Sequence, residues 1–451
     1  MIIEATSTVV ALCYTNGMLD IRFIREHADE VQRAAQQKNY DVDISAVLKA
    51  DEHRREVQQK AEVLRTRRNE ISGAMKGGRP SQELVDEGKA LKTDLSDVEE
   101  SLRQADEAFT ILLKQVPNVP LSDVPIGKSE DDNVVDKQVG IVPTFDFSPK
   151  NHAEIAEAKG WLDKDRAAKV AGSRFAYLMG DLVQLQLAIE QFVISHLSSE
   201  EIIKDIVAKS GLEGISTKPF IPVLPPLMIR TEAYDQMDRL EPRDDRYKID
   251  GEELWLQGSA EHVLGSMHAG EIFDEADLPR RYLGLATSFR KEAGTYGKDM
   301  EGIIRMHQFD KLEMESFATT ETALNEHLLF VAIQEYLLQA LGLPYQVLLK
   351  CTADIGKPNA RGVDMEVWLP GQGKYRETHT ADYMTDYQAR RLATRVRRAG
   401  TGILELIHTN DATAFALGRI MVAIIENNQT ADGDVVIPEV LRPFMAGRAQ
   451  I

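Results

Sequence analysis

Residues 44–116 carry the pattern that most restricts this chain. Leu84, Leu91, Leu95, Val98, Leu102, Ala105, Phe109 and Leu112 recur at the three–four spacing of a coiled-coil seam, with Gly88 at a skipped position. Val57, Ala61, Leu64 and Ile71 keep that spacing upstream, interrupted by Arg54 and Arg68. Between the two runs stands "GGRP", residues 77–80, which stops a helix and turns the chain. Two long helices joined by so short a turn run antiparallel, so this region is expected to form a projecting two-stranded arm.

The arm is charged against the trend of the chain. The full sequence of 451 residues carries a net charge of -19, which excludes a protein that coats nucleic acid through overall basicity. Yet Arg54, Arg55, Lys60, Arg65, Arg67, Arg68, Lys76 and Arg79 face only Glu56, Glu62 and Glu70 over the same stretch. A solvated helix face explains such a run, and so does a surface that tracks phosphates; the contrast with the rest of the chain favours the second.

Length favours two domains. "QVPNVPLSDVPIGKSEDDN", residues 115–133, reads as a linker or surface loop. The expected organisation is an extension over 1–17, an arm domain over 18–116, a linker over 117–135 and a larger second domain over 136–451. Met18 opens the well-patterned "MLDIRFIREH" and is expected to be the functional start. Beyond residue 200 strands and helices follow no βαβ rhythm, so the fold class is α+β, built on an antiparallel sheet flanked by helices. Cys13 and Cys351 are the only cysteines, which supports neither a disulfide framework nor a cysteine-rich zinc site and fits a reducing cytoplasm. No apolar run approaches the roughly 20 residues of a membrane span, and no membrane partner is expected.

Familiar catalytic signatures fail in turn. "GKS" at 127–129 has Ser122 where a phosphate-binding loop needs glycine, and "GQGKYR" at 371–376 lacks the third glycine of a dinucleotide fingerprint. The chemistry lies instead in "FRKEAGTYGKDMEGIIRMHQFDKLEME", residues 289–315. Read as an extended segment, it puts Arg305, His307, Phe309, Lys311 and Glu313 on one face. A salt-bridged solvated strand explains that row, as does a ring stacked on adenine with arginines on phosphates. The loop before it, with Gly294, Gly297 and Gly302, could close over such a ligand.

Phe289-Arg290-x-Glu292, a loop, then Arg305-x-x-x-Phe309-x-x-x-Glu313 resembles motif 2 of class II aminoacyl-tRNA synthetases. "PFIPVLPPLMIR" (219–230) resembles motif 1, the dimer segment, and Gly418-Arg419 with the apolar helix after it resembles motif 3. Within the class, "DMEVWLP", "DYQARR" and "IPEVLRPFM" are similar to the seryl-tRNA synthetase family, over essentially residues 18–451. The resemblance implies ATP-dependent activation of serine and its transfer to tRNA-Ser by a cytoplasmic homodimer, with tRNA-Sec an open second acceptor.

It also implies roles. Arg290, Arg419 and Glu377 are the catalytic set, with Arg290 on the substrate carboxylate and α-phosphate and Arg419 near the γ-phosphate. Glu292, Arg305 and Met306 lie at the adenine and distal phosphates, Phe309 stacks the base, and Thr378, His379 and Thr380 flank Glu377, which holds Mg²⁺ with ATP. Ser259, Ala260, Glu261, Arg290, Glu313 and Thr413 would hold serine. Arg54, Arg55, Lys60, Arg65, Arg68, Lys76 and Arg79 would bind tRNA, and no zinc is expected.

Three pocket segments depart from the family's wording. Ser259-Ala260-Glu261 stands for Thr-Ala-Glu, "RETHTAD" (376–382) for a segment like "REISSCSN", and "HTNDATA" (408–414) for "HTLNGSG". Arg361 replaces a lysine more mildly. Hydroxyls remain at 259 and 413, while Asp382 and Asp411 add negative charge near the pocket. A related ligase that activates another amino acid or loads a non-tRNA acceptor therefore stays open as the alternative.

Overall fold

The computed structural model describes residues 19–75, 81–292 and 302–451. The chain divides into two compact units, one ending at Pro117 and one made of residues 37–39 with 118–451.

In the first unit, α1 (Ile44–Met75) and α2 (Gln82–Leu113) pair as the heptad spacing requires. Val57, Ala61 and Ile71 are buried on one helix and Leu91, Leu95, Ala105 and Phe109 on the other. Leu113 takes the last buried position rather than Leu112, because an unwound 3.6-residue helix drifts against a strict heptad. Ser81 caps α2 by accepting from the Leu84 amide. Arg54 breaks the apolar spacing without leaving the seam: its guanidinium lies 4.8 Å from the Phe109 ring centre. The turn at 77–80 lies outside the described residues.

The second unit is built on an eight-stranded sheet. Its strands are β1 (Val134–Val139), β2 (Ile221–Val223), β3 (Arg280–Phe289), β4 (Gln308–Ala318), β5 (Tyr345–Leu349), β6 (Arg361–Leu369), β7 (Lys374–Thr385) and β8 (His408–Ala416). They lie in the order β1–β5–β6–β7–β8–β4–β3–β2. Neighbours are antiparallel except the short edge pair of β2 and β3, which is parallel. The fold is therefore α+β, as the irregular spacing of elements implied.

Period-two alternation gives this sheet two faces. Ala381, Ala412, Met314 and Leu283 are cross-strand partners in one row on the core face. They join a hydrophobic cluster with α3 (Asp181–Leu197), α5 (Ala323–Ala340) and α6 (Leu417–Asn427). The opposite face carries Lys311, Glu313, Thr413, Asp382 and Asp411 and is roofed in part by α4 (Ala260–Gly265).

The proline-bearing stretch expected as a linker does not hang free. Asn118 Nδ2 donates to the Pro358 and Met384 carbonyls, both at 2.8 Å, and the Leu121 amide donates to Ala360 O at 2.9 Å. Proline removes donors but leaves carbonyls and side chains able to bind a neighbour, so the segment runs along the second unit.

A buried ion pair ties helix to sheet. Arg281 on β3 donates twice to Glu326 on α5, both at 2.6 Å, and its remaining donors reach the carbonyls of Lys218 and Ser216. The two side chains are 0% and 2% exposed. Removing one partner leaves an uncompensated buried charge, so Glu326→Leu should destabilise the protein by about 3–5 kcal/mol in urea unfolding. Adding Arg281→Met to it should restore most of that loss; no recovery would mean the pair is not the source.

Candidate active site

The cleft starts where β3 ends. Arg290 follows the strand directly, and its main chain is fixed by exchange with His307: the Arg290 amide donates to His307 O, and His307 Nδ1 lies 3.0 Å from Arg290 O. Its Nε donates to Gly258 O at 2.9 Å, and its guanidinium carbon sits 5.4 Å from the Phe309 ring centre. Arg290 thus stands over the ring that heads β4.

The expected continuous row from Arg305 to Glu313 is corrected here. β4 begins at Gln308, so Phe309, Lys311 and Glu313 share a strand face, whereas Arg305 and His307 lie in the bend before it. The bend is set by packing. Gly302 has φ +56°, and a Cβ there would lie 1.9 Å from His152 Nε2. Gly418 lets α6 start directly under the same segment, since its Cβ would meet Ile303 O at 2.8 Å. Arg305 then enters the cleft sideways and pairs with Glu292 at 2.5 Å. Gly294 and Gly297 lie outside the described residues.

Across the cleft Arg419, in the first turn of α6, donates to Glu377 Oε1 and to its carbonyl, each at 2.9 Å. Glu377 is half-exposed on β7. Burial opposes its charge, but Arg419, Lys350 and Arg290 hold its carboxyl below the usual range. One cleft is lined by Arg290, Glu292, Arg305, Met306 and Phe309 from one wall and by Glu377, Thr378, Thr380, Thr413 and Arg419 from the other. Ten of the residues singled out from sequence therefore meet around one space.

The inner end is held by pairs the sequence did not reveal. Lys311 forms an ion pair with Glu313 at 2.5 Å and reaches Ser259 Oγ at 3.4 Å, joining two expected amino-acid contacts. Arg239 donates to Glu261 at 2.6 Å. Burial pushes Glu261 up, yet Arg239, with His262 and Lys311, overrides it and holds the carboxyl at about 2. Lys311 was visible on the strand face between Phe309 and Glu313. Arg239 gave no signal, being distant in sequence and outside every motif. Ala260 is fully buried in α4 among Leu264 and Tyr282, its methyl group part of the packing beneath the helix.

His379 does not line the cleft. It falls on the core face of β7 beside Ala381, edge-on to Phe415 at 5.2 Å, with Nδ1 2.7 Å from Thr378 Oγ1. A bulge where Met365 pairs with His379 and Glu366 with Glu377 sets this alternation. Burial lowers its pKa to about 3.

On the arm, ion pairs neutralise much of the expected basic surface. Arg54 and Arg55 both approach Asp51, Arg65 pairs with Glu99 at 3.0 Å, and Arg67 pairs with Glu70 and Glu87. Lys60 and Arg68 point to solvent with no ion pair among the described residues. Lys76 and Arg79 lie outside them.

Residues 18–120 match the seryl-tRNA synthetase N-terminal domain, and residues 246–428 match the tRNA synthetase class II core domain (G, H, P, S and T). The chain is 38% identical over 437 residues to the serine--tRNA ligase of Deinococcus radiodurans, covering 96% of this chain and 98% of that one. The chain belongs to the seryl-tRNA synthetase family. The serine--tRNA ligase of Methanocella arvoryzae is likewise 38% identical, over 95% of this chain and 99% of its own. Among solved structures, the seryl-tRNA synthetase of Pyrococcus horikoshii complexed with ATP superposes with a TM-score of 0.84 at 34% identity, covering 96% of this chain and 99% of that one. The cytoplasmic serine-tRNA ligase of Naegleria fowleri in complex with AMP gives 0.80 at 27% identity, covering 96% and 98%. Family membership accounts for the helical pair and the sheet together, since separate matches cover both units.

The buried histidine gives a pH test. Its folded pKa of about 3 lies below its ordinary 6.5. Between those values the unfolded chain binds a proton that the folded one excludes, so stability rises with pH across that window and falls as pH drops through it. At pH 5 this one group should cost about 2 kcal/mol relative to pH 7. His379→Gln should shrink the difference in urea stability between pH 7 and pH 5 by that amount. An unchanged difference would place the residue in solvent.

Proposed function

We propose that this chain activates L-serine with ATP and transfers it to tRNA-Ser. The observation that carries the reading is the meeting of Arg290, Phe309, Arg419 and Glu377 around one cleft that Thr413 and Lys311 also line, with Lys311 reaching Ser259 and Glu313 behind it. The seryl-tRNA synthetase of Pyrococcus horikoshii, which superposes over nearly the whole chain, was solved with ATP.

Adenylate formation needs no protein nucleophile. A serine carboxylate oxygen attacks the α-phosphorus, the bond from that phosphorus to the pyrophosphate oxygen breaks, and pyrophosphate leaves. The protein must align two anions and neutralise charge on the phosphates. We read Arg290 as the contact for the carboxylate and α-phosphate and its neighbour Phe309 as the surface for the base, a reading supported by their contact in one cleft. Arg305 and Arg419 are held by Glu292 and Glu377, pairs that nucleotide phosphates can replace. Glu377 is ionised and half-exposed, the hard-oxygen donor that Mg²⁺ accepts alongside substrate phosphates. The ion would add neutralising charge at the phosphates when bound. In the second step a tRNA 3′-terminal hydroxyl attacks the activated carbonyl and AMP departs.

At the inner end Glu261 and Glu313 suit a substrate ammonium, and the hydroxyls of Ser259 and Thr413 suit a serine side chain. A site built to bond a hydroxyl rejects an analogue without one by roughly 10⁴–10⁵, which excludes alanine. Lys60, Arg68 and their neighbours on α1 are read as the phosphate-contacting surface for tRNA, positioning it without reading sequence. A homodimer through the motif 1 region fits the exposed apolar row Ile221, Leu224, Leu227 and Met228, of which Leu224 is 83% exposed. We read the protein as cytoplasmic on family grounds.

Amino-acid-dependent ATP–pyrophosphate exchange across the twenty standard amino acids should be strongest with serine; a stronger response to another would overturn the specificity, and none at all would overturn the activity. Deleting residues 55–110 should leave exchange intact and abolish tRNA charging. Equal loss of both would detach the arm from tRNA.

A further inference from the structure

Three segments that deliver cleft residues are tied together by one buried pair. The bend at 302–305 brings Arg305, the turn at 370–373 leads into β7 and Glu377, and α6 carries Arg419 in its first turn. His152, 2% exposed, opens the helix His152–Ala158, and Glu426, 0% exposed, stands two turns beyond Arg419 on α6. Glu426 Oε1 accepts from the His152 amide at 3.0 Å and lies 2.9 Å from His152 Nδ1, while Oε2 accepts from the Gly371 amide at 2.9 Å. The Ile303 amide donates to His152 Nε2 at 3.4 Å. Gln429 fastens the same corner, accepting from the Lys150 amide at 2.8 Å and donating to the Lys150 carbonyl at 2.9 Å.

These partners fix where the histidine carries its proton. An amide N–H only donates, so the Nε2 that faces Ile303 must present its lone pair. The ring proton then sits on Nδ1 and points at the Glu426 carboxylate, which holds both the tautomer and the orientation of the ring. Lysine and arginine could only donate here, and an ionised carboxylate could only accept; the imidazole does one on each side. A fully satisfied buried network of this kind fixes directions that apolar packing leaves open.

Two glycines allow the close approach. A Cβ at residue 302 would lie 1.9 Å from His152 Nε2, and one at residue 371 would lie 2.7 Å from Asn151 Cα and 3.0 Å from Glu426 Oε2. The first glycine of "GQGKYR", a sequence that fails as a dinucleotide fingerprint, thus answers to a packing demand. Ile303, Ile304 and Arg305, which follow directly from the contact with His152, line the cleft together with Glu377 and Arg419.

We propose that His152 and Glu426 are positioning residues for the distal end of the nucleotide: by holding Ile303 and Gly371 they set Arg305 and Glu377 for the distal phosphates. The inference rests on reading the cleft as an aminoacyl-adenylate site. The residues read as serine contacts come from α4, β4 and β8 instead, so loosening the pair should weaken ATP and spare serine.

The test is ATP–pyrophosphate exchange by the full chain, with KM measured separately for ATP and for L-serine. His152→Leu removes donor and acceptor together and should raise KM for ATP by about tenfold or more, while KM for serine moves by less than about twofold. His152→Gln keeps an acceptor near the position of Nε2 and should bring KM for ATP back to within about threefold of the unsubstituted chain. Glu426→Gln puts a donor against either Gly371 or Nδ1 and should raise KM for ATP alone by about threefold or more; should His152→Leu not fold, it decides by the same split. An unchanged KM for ATP, an equal rise for both substrates, or a glutamine variant no better than the leucine one overturns the proposal and leaves the pair a packing element. No exchange by the unsubstituted chain overturns the underlying ATP and serine reading instead.

Discussion

The strand Gln308–Ala318 at the middle of the sheet sets two environments at once. Its even-numbered residues Leu312 and Met314 enter the hydrophobic core, and its odd-numbered residues Lys311, Glu313 and Glu315 are almost as deeply buried on the other side. A polar face roofed from water cannot leave its charges alone, because an unpaired buried charge is costly. Lys311 on Glu313 and Arg239 on Glu261 are the result. A one-residue slip of this strand would exchange core for site, so the apolar row Ala381, Ala412, Met314 and Leu283 fixes the register of the chemistry as firmly as that of the core.

At the open end of the cleft the arginines wait in ion pairs. Arg305 rests on Glu292 and Arg419 on Glu377, both partly exposed, where such pairs contribute little stability and exchange readily for a better anion. Arg290 differs. Among the described residues it is braced by a carbonyl and a ring rather than a carboxylate, a weaker hold on a guanidinium than an ion pair.

The helical pair shows how a local charge count can mislead. Arg65 and Arg67 contribute to the positive run in sequence, but Glu99 and Glu87 come from the other helix and neutralise them. The count along α1 could not include partners that only the antiparallel pairing supplies. What stays available to phosphate is the smaller set that includes Lys60 and Arg68.

The sequence by itself determined the two-helix unit, the antiparallel class of the sheet and the identity of the cleft residues, because heptad spacing, period-two alternation and motif wording are written in neighbouring positions. Phe309, Arg290, Glu377 and Arg419 were legible for that reason. Tertiary structure alone decided that Arg305 arrives from a bend, that His379 turns into the core, and that Arg239 anchors Glu261. It also decided that His152 meets Glu426 at that bend. Each of these depends on a bulge, a close approach or a cross-strand partner far away in the chain, and electrostatic energy depends on distance in space, which spacing along the sequence does not encode.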